Sequence, residues 1–175
     1  MKRFITLVLA ALMLLSLTVC VSATGTGTIT INGIGTGTTY NIYKLLDLES
    51  YNTSTGAYSY KVNSAWSGFF ATPEALTYVA IDGAGYVTWI AGDGSDTVTA
   101  FSKLALAYAK AHSIAAVKSS SVSGQFTISG TTGKFTGLDL GYYLVDSTMG
   151  SLCGLTTTNP DASINAKNGV PTIDK

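Results

Sequence analysis

Leu138–Thr148 reads LDLGYYLVDST, and this stretch decides the fold class. Asp139-Leu140 is turn-like. Tyr142–Val145 is an aromatic and branched run of the kind that fits a pleated, half-buried surface. Alternation puts Tyr143 and Val145 on one face and Tyr142 and Leu144 on the other. With both faces apolar, the stretch reads as a central strand of a β-sandwich. It carries no catalytic chemistry. It fixes where the sheet and the end of the chain lie.

Working outward from it, the flanking segments repeat the pattern. Downstream, Leu152–Thr158 and Ala162–Lys167 read as two further strands, separated by the Asn159-Pro160-Asp161 turn. Cys153 reads as a small buried hydrophobe. Upstream, Gln125–Ser129 and Lys134–Thr136 flank Gly-Thr-Thr-Gly as a hairpin. Earlier strands are expected at Thr24–Ile31, Thr38–Leu48, Ala57–Val62 and Tyr86–Ile90. In the second of these, Tyr40, Ile42 and Leu46 are expected to share a face opposite Tyr43 and Leu45. Asn32-Gly33 is a turn signal.

Two helices interrupt the strands. Thr72-Pro73-Glu74 offers an N-cap residue, a first-position proline and an acid in the first turn, so a short helix is expected to run to about Ala80. Thr97–Val117 is expected to be one long helix with Phe101, Leu104, Ala105 and Tyr108 on its apolar stripe. The only histidine, His112, falls near its end and has no second ligand or nucleophile in view. Trp66–Phe70 (WSGFF) is a dense aromatic patch that reads as core.

Composition narrows the function classes. The 175 residues carry ten basic and ten acidic side chains, and charged residues are only 11% of the chain. A nucleic-acid partner is not expected from that balance. Abundant Gly, Ser and Thr point to an extracellular β-rich protein. Lys2 and Arg3, then the apolar Phe4–Val21, then Val21-Ser22-Ala23 read as a leader cleaved after Ala23. The apolar run is nearly long enough to span a bilayer, and the small residues favour cleavage. Cleavage removes Cys20 and leaves Cys153 as the one cysteine, so no internal disulfide is expected. No nucleophile elbow, zinc spacing, Cys/His pair or phosphate-cradling loop is present, so neither an enzyme nor a cofactor is expected. The aspartates of Gly92–Asp96 lack the remaining ligands of a calcium loop, so no metal site is expected.

Five stretches, in this order behind a leader, resemble the N-terminal domain of Gram-positive, sortase-assembled backbone pilins, the isopeptide-forming fimbrial proteins. They are GTITI at Gly27–Ile31, TTYNIYKLLDL at Thr38–Leu48, FSKLALAYAK at Phe101–Lys110, LDLGYYLVDST at Leu138–Thr148 and INAKNGVPTIDK at Ile164–Lys175. The resemblance implies a mainly β chain with inserted helices: an immunoglobulin-like β-sandwich carrying one short and one long helix. It implies a leader at 1–23, a sandwich domain at 24–169, and the start of a second domain at 170–175. It implies a secreted, cell-surface subunit whose partners are other pilin subunits, a pilin-specific sortase and host surface ligands.

In such pilins a lysine in a Tyr-Pro-Lys-Asn motif is joined by sortase to the next subunit. Here Asn165-Ala166-Lys167-Asn168 keeps the Lys-Asn pair and has Asn-Ala in place of Tyr-Pro, so Lys167 is the expected acceptor. A second implied feature is an internal Lys–Asn amide promoted by an acid. Lys44 with Asn165 is the expected pair, with Asp47 or Glu49 as the acid. Lys175 matches the lysine that opens the following domain. The sequence shows no LPXTG-type sorting signal and no apolar C-terminal segment, so it reads as a fragment or an acceptor only. The alternative is a secreted adhesin or carbohydrate-binding module with Trp66, Phe69, Phe70 and Trp89 as a stacking face.

Overall fold

The computed structural model describes residues 20–22, 24–92, 94–146 and 150–166. In chain order the elements are β1 (Cys20–Ser22), β2 (Thr26–Asn32), β3 (Asn41–Asn52), β4 (Ala57–Val62), a 3-10 turn (Ser64–Trp66), α1 (Ser67–Phe70), α2 (Pro73–Leu76), β5 (Val79–Ile81), β6 (Val87–Trp89), α3 (Ser95–Ala111), β7 (Lys118–Ser119), β8 (Thr127–Ser129), β9 (Thr132–Asp139), β10 (Gly141–Asp146), β11 (Ser151–Leu155) and β12 (Asp161–Asn165). The chain is mainly β with several sheets and few helices, consistent with a β-sandwich.

β3 is the spine of the first sheet. One of its sides pairs antiparallel with β10 and, further along, with β1; the other pairs with β7 and β4. β11 extends this sheet beyond β10. The second sheet runs β12-β2-β9-β8, with β12 parallel to β2 and the other neighbours antiparallel. β5 and β6 form a separate small ribbon.

Period-two alternation explains the core between the two sheets. Ile29 and Ile31 from β2, Phe135 and Leu138 from β9, Ile42 from β3, Tyr143 and Val145 from β10 and Leu155 from β11 all turn inward and are buried. The opposite face of the first sheet is also covered. Tyr43, Leu45 and Leu144 pack under a layer made of α1, α2 and α3, where Trp66, Phe69, Phe70 and Phe101 are buried. The order through the molecule is therefore second sheet, first sheet, helical layer. The faces expected for Tyr142–Val145 hold: Tyr143 and Val145 face the second sheet, Leu144 faces the helices, and Tyr142 is partly exposed.

Several expected boundaries shift, each for a local reason. Leu138-Asp139 closes β9, and the next strand starts at Gly141. The short helix stops at Leu76, because Val79–Ile81 instead pairs with Val87–Trp89 as a ribbon of branched and aromatic residues. It is one of two four-residue helices, so the expectation of a single short helix is corrected. Thr72 caps it as expected, its hydroxyl accepting from the Ala75 N–H at 3.2 Å. The long helix spans Ser95–Ala111, with Gly94 as N-cap rather than Asp96 or Thr97. It ends six residues short of Val117, since Ser113 takes a φ of 52° and Val117 donates its N–H to Ile42 O on the way into β7.

Leu46 also departs from expectation. It packs on the helical side rather than with Tyr40 and Ile42, and Leu48 takes the inter-sheet position. A β-bulge causes this: Tyr143 pairs with Lys44 and Tyr142 with Leu46, leaving Leu45 as an extra residue. The inserted residue turns Leu46 to the helical side, and the register shifts again against β4 between Leu48 and Ser50.

Tyr143 ties β10 back to the preceding corner. Its hydroxyl donates to the Asp139 carbonyl at 2.6 Å, and burial pushes its pKa above the usual phenol value. A buried phenol kept protonated is a reliable donor for that carbonyl.

Candidate functional site

The bulge in β3 and the end of β4 bring three polar side chains together. Lys44 follows Ile42 on the strand, and its side chain is 12% exposed, with Nζ 2.7 Å from Asp47 Oδ1. Its aliphatic stem lies over Gly141: a Cβ built there would come within 2.7 Å of Lys44 Cε. The glycine of the LDLGYYLV stretch thus leaves the space that the lysine stem fills, at a φ of 154° that favours glycine.

Asn63 arrives from the neighbouring strand. It sits one residue past β4, and its N–H donates to Leu45 O at 3.0 Å. Its side-chain amide donates to Asp47 Oδ1 at 3.2 Å and to Oδ2 at 3.0 Å. Its Oδ1 accepts from the Ala65 N–H, capping the 3-10 turn. The lysine ammonium and the asparagine amide therefore meet on one carboxylate.

This arrangement can carry a defined chemistry, in which the Lys44 amine attacks the Asn63 side-chain carbonyl carbon. A C–N bond forms, the original C–NH2 bond breaks, and the two protons given up by the lysine nitrogen reach the leaving nitrogen, with Asp47 as carrier. The products are a Lys–Asn amide and an ammonium ion, with no oxidant or cofactor required. A carboxylate in contact with both nitrogens is a suitable proton carrier. The bystander alternative is an i,i+3 ion pair beside a capping asparagine.

The expected site residues fall as follows. Lys44 and Asp47 are together in this cluster. Glu49 instead lies 4.0 Å from Lys61. Asn165 is exposed on β12 in the second sheet, where it accepts from Asn32 Nδ2 at 3.4 Å, while Lys44 belongs to the first sheet. Lys167 and Lys175 lie outside the described residues. The last described residue, Ala166, donates its N–H to Asn32 O at 2.7 Å.

Trp66, Phe69 and Phe70 are 1–3% exposed and pack on one another and on Phe101, and Trp89 contacts Phe101 edge-on. They do not form an open stacking face. His112 caps the end of α3 and stacks on Tyr108 at 4.0 Å. Burial pushes the Cys153 thiol up to about 12. Among the described residues no group of three His, Cys, Asp or Glu side chains could hold a metal ion, and no helix is long and apolar enough to cross a membrane.

Asn63 went unread in the sequence. The available signal was an asparagine directly after an alternating strand, Ala57–Val62. Its proximity to Lys44 depends on the pairing of Leu46 with Val62 and on the bulge, neither of which the sequence spells out. No family model and no curated protein matches the chain.

Proposed function

We propose that this chain is a structural, non-enzymatic subunit of a cell-surface fibre: an immunoglobulin-like domain stapled by an internal Lys44–Asn63 amide and joined to its neighbours through Lys167. The observation that carries the reading is the convergence of Lys44 and Asn63 on the Asp47 carboxylate, across two paired strands. A domain with Cys153 as its one cysteine after leader removal gains from such a bond what a disulfide supplies elsewhere.

Two features support the immunoglobulin-like part. The antiparallel pairings β2–β9–β8 and β4–β3–β10–β11 are compatible with the two sheets of that fold, and β12, parallel to β2, is an addition to it. The Tyr143 hydroxyl bond to Asp139 O, four residues upstream, has the form of a tyrosine corner between adjacent strands of opposite sheets. The fibre role, the leader, the cell-surface location and the partners (other subunits, a pilin-class sortase, host ligands) rest on the resemblance carried by the five stretches.

The test is assembly. With a pilin-class sortase and a donor subunit, the protein forms a high-mass ladder whose cross-link maps to Lys167, and Lys167→Arg abolishes it. A ladder that survives this substitution, or a link mapped only to another lysine, rejects Lys167 as the acceptor.

A further inference from the structure

A cavity of about 550 Å3 lies between the first sheet and the layer that packs on it. Its walls include Leu46 and Leu152 from the sheet and Phe70, Trp89, Val98 and Phe101 from the opposing layer. We propose that this cavity binds a small neutral aromatic molecule carrying one hydrogen-bond acceptor.

The volume lies in the range of small-molecule pockets, and the wall composition is the usual one for them. Among the described residues no charged side chain lines the cavity, so an ion has no counter-charge from them. The rings of Trp89 and Phe101 stand nearly perpendicular at 5.2 Å and line the cavity with aromatic surface. The indole N–H of Trp89 is already donated to Gly92 O, so Trp89 contributes apolar surface alone.

Two hydroxyls supply the polar handle. Tyr60 and Tyr142 both line the cavity, their rings edge-on at 5.0 Å, and neither hydroxyl has a hydrogen-bond partner among the described residues. Burial pushes the Tyr60 pKa up, so its hydroxyl stays protonated and donates. The room beside Tyr142 comes from Gly154, where a Cβ would meet the Tyr142 ring at 3.3 Å.

The experiment follows the methyl NMR signals of Leu46 and Leu152 in the full chain during titration with acetophenone and with ethylbenzene, which lacks the acceptor. Both are expected to shift the signals saturably at one site, with acetophenone bound about five-fold tighter through the one added hydrogen bond. In a Tyr60→Phe/Tyr142→Phe double variant the two affinities become equal. Val98→Trp fills the cavity and removes both. Shifts that do not saturate, equal affinities in the unaltered protein, or a preference that survives the double variant overturn the proposal. If Val98→Trp does not fold, the double variant decides alone, since it keeps both rings.

Discussion

The two cores that share the first sheet are built from different material. Between the sheets, Ile29, Ile31, Ile42, Val145 and Leu155 meet around Phe135 and Tyr143. Ile29, Ile31 and Ile42 come from strands near the start of the described chain, and Phe135, Tyr143, Val145 and Leu155 from strands near its end. Under the helices, Trp66, Phe69, Phe70 and Phe101 interlock through ring edges at 5.1–6.3 Å, and the small Ala105 and Ala109 let α3 approach the sheet. That layer comes mainly from one continuous stretch between β4 and β7. The first core holds the sandwich closed through long-range pairing. The second is a locally assembled cover, held to the sheet by Tyr43, Leu45 and Leu144.

The largest expected effects break one core at a time. Phe135→Ala and Trp66→Ala each remove a fully buried ring and cost about 3–5 kcal/mol. Native-state hydrogen exchange separates them. Trp66→Ala loses protection first in α3, leaving β2 and β9 protected, whereas Phe135→Ala lowers protection in both layers. Equal losses across both layers in the two variants contradict a separable cover.

Gly141 probes the seam between the cores, because it lies on β10 between the faces and under the Lys44 stem. Gly141→Ala forces a side chain into a glycine backbone region and against Leu46 O and Lys44 Cε. It is expected to cost on the order of 1–3 kcal/mol by denaturant titration. A cost of no more than about 0.5 kcal/mol, the range of surface substitutions, means that the stem does not rest there.

Tyr143→Phe sharpens the comparison with the smallest change. The ring stays, and only the bond to Asp139 O is lost, for about 1 kcal/mol. A stabilised variant contradicts the assignment of that hydroxyl as a structural donor.

Legibility follows the same division. The inter-sheet core is legible in the sequence because alternation in Tyr142–Val145 needs no knowledge of partners, whereas β4 sends Tyr58 and Tyr60 to the inter-sheet core and Val62 to the helical side. The WSGFF patch was legible as core from aromatic density. The facing of Leu46 is not legible in the sequence, because a bulge depends on the partner strand and its register is a property of the folded pair. The end of α3 is not legible either, because apolar residues continue through Ile114–Val117 after the backbone has turned at Ser113. At the site, Lys44 and Asp47 follow from the resemblance alone, whereas Asn63 requires the pairing of β3 with β4.

The central claim is the covalent staple, and intact-mass spectrometry of the folded protein tests it most directly. The account predicts a mass about 17 Da below that of the sequence from its observed N-terminus, the loss of one ammonia. Lys44→Arg and Asn63→Ala variants are each expected to match their own sequence mass. An unaltered protein that also matches its sequence mass contradicts the account, and leaves Lys44, Asp47 and Asn63 as an ion pair and a cap.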